Sequence, residues 1–154
     1  MLAPSLLSAS PKACLMQDEL AQTLNDALAI TDTVGLQVLL IGAWARDLCL
    51  PEDVRRTPRK TNDADLAVIV DDWEVVDQLF ERATTTFHVT PAELHMRHHV
   101  TKIKVDIVPC GRIETPQGEL HLRKSSRVLT TIGLAESFGS GRVHPVRSRQ
   151  VLVP

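Results

Sequence analysis

Two carboxylates, Asp63 and Asp65, stand one residue apart in "RKTNDADLAVIV", at the front of a run that is otherwise apolar. On a strand, residues i and i+2 point to the same face. The two side chains therefore project together, and like charges that close repel unless a cation lies between them. Oxygen-only donors with no His or Cys in the motif favour Mg²⁺ or Mn²⁺ over Zn²⁺. The plain alternative is two polar residues at the entry of a strand. A third carboxylate, Asp106, lies inside "KVDIVPC", flanked by Val105, Ile107 and Val108. A carboxylate within an apolar strand is costly unless it is metal-bound or paired with Arg or Lys. Three aspartates on two neighbouring strands could hold two divalent ions, which suits an in-line phosphoryl displacement. Asp106 could also take the proton from an attacking hydroxyl.

Upstream, "LLIGAWARD" reads as a strand, Gly42, then a helix. Gly42 lets backbone approach a ligand closely. The helix start behind it offers free N–H groups and the positive end of a dipole, which suit a phosphate. Many α/β turns use glycine, so its place ahead of the D-x-D motif is what gives this one meaning.

These groups need elements to position them. Leu20, Leu24 and Leu28 recur at helical spacing, so an amphipathic helix is expected from Gln17 to about Asp32, ended by Gly35. "LQVLLIG" reads as a buried strand and "AWARDLCL" as a short helix. "PEDVRRTPRK" is a loop with two prolines and four basic residues. "DADLAVIV" is a second strand. "DDWEVVDQLFERAT" is a helix with Asp71 or Asp72 as its N-cap and Val76, Leu79, Phe80 and Ala83 on its buried face. "HVTKIKVDIVPC" suggests a third long strand, and "RVHPV" and "QVLVP" short terminal strands. Alternating helices and strands give a single α/β (α+β) domain over residues 16–154, behind an irregular arm at 1–15.

Composition sets the bounds. A chain of 154 residues, 44% hydrophobic and 23% charged, can bury a core of its own. Aromatics at 3% and no Tyr argue against a stacking platform for single-stranded nucleic acid. A net charge of -2 argues against a surface that is basic throughout. Charge is uneven, with seven Lys/Arg against three Asp/Glu from Gly111 onward. That segment could cover an anionic ligand or be an ordinary mixed surface. Cys14, Cys49 and Cys110 are odd in number and far apart, which fits reduced thiols in a cytoplasm. "MLAPSLLSASPKACLM" lacks the basic start of an export signal, and no run approaches a membrane span.

The ordered set "LLIGAWARDLCL", a basic loop, "RKTNDADLAVIV" and "KVDIVPCG" resembles the nucleotidyltransferase superfamily with the polymerase-beta-like core. It is most similar to the AbiEii-type predicted bacterial nucleotidyltransferases of toxin–antitoxin systems. The resemblance covers roughly Leu36 to Gly111. It implies a mixed sheet flanked by helices, with Asp63, Asp65 and Asp106 as catalytic metal ligands for Mg²⁺ or Mn²⁺. It places Gly42 and Ala43 at the triphosphate, where Ala43 stands at a position often Gly or Ser. Arg46 would meet phosphate or pair with Asp47 or a neighbour; Arg59, of the "R-x-T" pattern, would contact phosphate or be a solvated loop charge, and Thr61 would line the nucleotide. The implied activity moves a nucleoside monophosphate from an NTP to a hydroxyl of an RNA end, a protein or a small molecule. The alternative it implies is a non-catalytic binding protein with an antitoxin or toxin partner. Members usually continue into a helical C-terminal region, and this chain stops at Pro154, which fits a minimal enzyme, a fragment or a degenerate relative. "HMRHH", with His95, His98 and His99, lacks a matching distant pair for zinc. It reads as a hairpin, either solvated or near the substrate cleft.

Overall fold

The computed structural model describes residues 11–50 and 62–154, with side chains in the first helix from Asp18 on. The basic loop that carries Arg59 and Thr61 lies outside the described residues, as does most of the N-terminal arm. The first helix begins at Pro11, ahead of the expected start near Gln17.

The elements run α1 (Pro11–Val34), β1 (Val38–Ile41), α2 (Gly42–Cys49), β2 (Asp63–Val70), α3 (Trp73–Ala83), β3 (Phe87–Thr90), β4 (His95–His98), β5 (Lys104–Gly111), β6 (Glu119–His121), β7 (Val128–Thr130), α4 (Leu134–Ser140), β8 (Arg142–Val146) and β9 (Arg149–Val153). A single turn of 3₁₀ helix, Pro91–Glu93, precedes β4. Seven strands form one mixed sheet in the order β3-β4-β5-β2-β1-β9-β8, while β6 and β7 pair separately. The fold is thus mixed α/β. The pairs β2–β5 and β1–β9 are parallel, and the other pairs of the large sheet are antiparallel.

One face of the sheet carries the main core. Period-two alternation puts Ala64, Leu66, Val68 and Val70 of β2 and Val105 and Ile107 of β5 on that face, against Leu24, Ala27 and Leu28 of α1 and Val76, Leu79, Phe80 and Ala83 of α3. α3 starts where the Asp72 carboxylate accepts from the Val75 amide at 3.1 Å. α1 ends at Gly35, whose φ of 74° is the left-handed conformation that glycine reaches without strain.

The expected long strand "HVTKIKVDIVPC" is corrected. Its first residues form the turn of the β4–β5 hairpin, and the strand begins only at Lys104. Lys102 takes a φ of 64° there. Buried His98 holds the turn together: its Nδ1 accepts from the amides of Val100 (3.2 Å) and Thr101 (3.1 Å). Both bonds need an unprotonated Nδ1, which leaves Nε2–H to donate to Asp26 of α1 at 3.0 Å. Thr23 and Thr101 add a second α1-to-turn hydrogen bond at 2.6 Å. Hence His98→Ala is expected to lower stability by about 2 kcal/mol, because two amides and a carboxylate lose their buried partner. A urea midpoint unchanged in that variant would show that the clamp contributes little.

Candidate functional site

The opposite face of the sheet carries the polar residues of interest. Residues directly paired across two strands share a face. In the parallel β2–β5 pair Asp65 stands opposite Asp106, and Asp63 opposite Lys104. Across β4, His95 stands opposite Asp106 and Arg97 opposite Lys104. On the other side Ile41, the last residue of β1, stands opposite Asp65. Two polar rows therefore cross β4, β5 and β2 at one end of this face. Toward the other end the same face turns apolar, with Ala67 and Cys110 buried.

Asp63, Asp65 and Asp106 are all half-buried. The carboxyl of Asp65 is pushed above its ordinary range, first by burial, then by the neighbouring charges of Asp106 and Asp63, with Lys104 pulling the other way. The Lys104 Nζ lies 2.7 Å from Asp106 Oδ2. Its pKa is raised, chiefly by that hydrogen bond, with the charges of Asp106, Asp63 and Asp65 adding to it. Lys104 is the residue that the reading of the motifs missed. The signal was present: in "KVD" the lysine is two residues before the aspartate, so on a strand both face the same way.

Gly42 joins this site, and its role there is more specific than close approach to a ligand. Its φ is 73°, and a Cβ built on it would fall 3.2 Å from Asp65 Cγ and inside contact with Oδ2. The missing side chain is the space that the Asp65 carboxylate fills. A substitution at Gly42 is therefore expected to disturb the fold locally. Among the described residues, no N-cap side chain bonds the first amides of α2. Ala43 is half-buried on that first turn.

Arg46 is not directed at the carboxylates. Its guanidinium donates to Asp47 at 3.2 Å and is half-exposed, which is the ion-pair alternative weighed from the sequence. "HMRHH" is split by strand alternation. His95 and Arg97 belong to the polar rows, whereas Met96 and His98 are buried in the core. His95 Nδ1 sits 3.4 Å from Glu93 Oε2, and Arg97 donates to the Lys102 carbonyl at 2.8 Å. The thiol of Cys110 is pushed up to about 12 by burial, with Glu114 and Glu136 adding to the shift, so it stays protonated and gives its hydrogen to the Val68 carbonyl.

The three aspartates share a face, and Asp65 feels the charge of the other two. Among the described residues, however, no group of three or more His, Cys, Asp or Glu side chains stands ready to hold a metal ion. Asp106 has Lys104 as its counter-charge instead. No helix among the described residues is long and apolar enough to cross a membrane.

Comparison with protein-family models, with curated proteins and with solved structures finds no match to this chain.

Proposed function

We propose that this protein is a divalent-cation-dependent nucleotidyltransferase of the cytoplasm, which moves a nucleoside monophosphate from an NTP to a hydroxyl acceptor. The observation that carries the reading is Asp65. It is packed against the side-chain-free Gly42, opposite Asp106 and on the same strand face as Asp63, with its ionisation disfavoured by burial and by both neighbours. Three carboxylates against one ammonium leave an excess of negative charge, and the donors are all oxygens. That set fits Mg²⁺ or Mn²⁺.

Asp63 and Asp65 would hold the cation, with Asp106 reaching it if Lys104 lets go. A cation there would polarise the transferred phosphoryl group and offset charge on the leaving pyrophosphate. The amides at the start of α2, beside Gly42, would receive phosphate oxygens next to the carboxylates. Asp106 would accept the acceptor hydroxyl's proton once its Lys104 contact is released, since that contact occupies Oδ2.

One observation favours a second reading. The Lys104–Asp106 pair neutralises part of the cluster without metal, as suits a non-catalytic binding protein of this fold, acting with an antitoxin or toxin partner. The test is incubation with each α-labelled NTP, Mg²⁺ or Mn²⁺, and a cell extract. The expected result is pyrophosphate release and a labelled acceptor, both abolished by EDTA. NTP binding without any labelled product would favour the second reading, and no NTP binding would overturn both.

A further inference from the structure

His98 is buried, with 2% of its surface exposed, although histidine is the side chain that ordinarily changes charge near neutral pH. Both ring nitrogens are committed. Nδ1 accepts from the Val100 and Thr101 amides at 3.2 and 3.1 Å, and Nε2 donates to Asp26 Oδ2 at 3.0 Å. These contacts respond in opposite ways to a proton. A proton taken up by the ring must sit on Nδ1, because Nε2 already carries one. Nδ1 then becomes a donor that faces two donors, and both amide bonds are lost. The Nε2–H bond to the Asp26 carboxylate becomes charge-assisted and strengthens. The Asp26 side chain is a third exposed (33%), so water reaches the pair and a proton has a way in.

The surroundings of the ring confine the effect to the turn. From α1 it faces the Asp26 carboxylate. From β3 it meets Phe87, with ring centroids 5.0 Å apart and planes at 86°, which brings no charge. The turn adds His99, which is exposed, and Lys102, whose ammonium is bonded to the His99 carbonyl. Arg97 of β4 donates to the Lys102 carbonyl. Among the described residues, Asp26 is therefore the charged group in direct contact with His98, and the cations of this hairpin are bonded to carbonyls. The backbone of the hairpin does not depend on the ring. The His98 amide donates to the Ile103 carbonyl at 2.9 Å, and the Lys102 amide to the His98 carbonyl at 3.1 Å. Both bonds survive protonation, so what is released lies between them. We propose that His98 is a pH switch for the turn between β4 and β5. Neutral, it ties the turn to α1. Protonated, it lets go of the Val100 and Thr101 amides and holds α1 alone, through Asp26. The switch needs neither a metal nor a nucleotide, and it stands apart from the transferase reading.

The test uses the whole nitrogen-labelled chain, followed by NMR from about pH 8 to about pH 5. Ring nitrogen shifts read the tautomer and the protonation of His98. Hydrogen exchange on the same sample reads the protection of the Val100 and Thr101 amides, corrected for the intrinsic pH dependence of exchange. As the ring takes its proton, both protections are expected to fall about tenfold, while those of Leu66 and Val68 in β2 hold. Asp26→Asn removes the charge that favours the proton, so it is expected to move the loss to lower pH. His99→Gln is expected to leave the loss where it was, which assigns it to His98. His98→Gln, which cannot titrate, is expected to abolish the pH dependence, and the Asp26→Asn shift carries the same assignment if that variant does not fold. Protection that persists after the ring is protonated would overturn the switch. So would a neutral ring with its proton on Nδ1, or a ring that stays neutral until the whole chain unfolds.

Discussion

Under the proposed function, Asp65→Asn is expected to reduce nucleotidyl transfer about a thousandfold, roughly 4 kcal/mol of barrier, while leaving the metal-free protein at least as stable as before. The two halves of that expectation have the same cause. Asp65 lies at the centre of the cluster, where burial and the charges of Asp106 and Asp63 outweigh the attraction of Lys104. Its ionised form is useful only to a cation. An amide keeps the size and loses the charge, so it removes both the repulsion and a ligand. The pH dependence follows in sign. A carboxyl whose folded pKa is raised above its ordinary 3.8 stabilises the fold at lower pH and loses that contribution as pH rises through the folded value. The native and Asn proteins should therefore melt alike below pH 3.8. The Asn form should move ahead as pH rises through the raised folded value. Mg²⁺ or Mn²⁺ should raise the melting temperature of the native chain alone. Asp106→Asn should behave oppositely without metal. It loses the 2.7 Å contact with Lys104, worth about 1 kcal/mol for a pair that is roughly a quarter exposed. Melting curves of the three proteins, with and without metal and across pH, check this. A marked loss of stability in metal-free Asp65→Asn would show that Asp65 is a structural partner and refute its role as a ligand.

Gly42→Val should be nearly as damaging to activity, by about a hundredfold or more, and it should also cost about 1–2 kcal/mol of stability. Two separate terms act. A φ of 73° is strained for any residue with a Cβ, and more so for a β-branched one. The added carbon would also collide with the Asp65 carboxylate, which must swing away from Asp63 and Asp106. Gly42→Ala isolates these terms with the smallest possible side chain. Combining it with Asp65→Ala removes the collision and leaves only the backbone strain. The stability loss from Gly42→Ala should therefore be smaller in the Asp65→Ala background than in the native one, a coupling read from a double-mutant cycle by urea denaturation. Strictly additive losses would mean that Gly42 does not make room for Asp65.

Much of the positioning framework was legible in the chain itself. The run "DADLAVIV" forms β2 with the bounds that its composition indicated. α3 buries the four residues that helical spacing selected and is capped by Asp72. α2 begins at Gly42 itself, one residue ahead of "AWARDLCL", "RVHPV" is β8, and β9 starts at Arg149, one residue ahead of "QVLVP". These features are local. Apolar period, cap chemistry and glycine conformation act within a few residues, so the sequence carries them whole. The same alternation fixed that Asp63 and Asp65 face one way, and it would have linked Lys104 to Asp106 had the lysine been weighed.

What the tertiary structure decided is which strands meet and in what register. That Asp65 stands opposite Asp106 depends on β5 returning to pair in parallel with β2 after α3, β3 and β4 have crossed to the sheet edge. A slip of one residue would have turned Asp106 into the core, and no local pattern specifies that pairing. The break in "HVTKIKVDIVPC" also arises at a distance. His98 is buried against Asp26 of α1, and its ring then ties down the turn that delays the strand until Lys104. The strands β6 and β7, three residues each, are too short to show a period. The fit of Gly42 against Asp65 joins residues that lie in antiparallel neighbours, β1 with its following helix and β2. The sequence could supply a glycine and an aspartate, each with its own local preference. Only the packing of the two strands makes the absence of one side chain the space for the other.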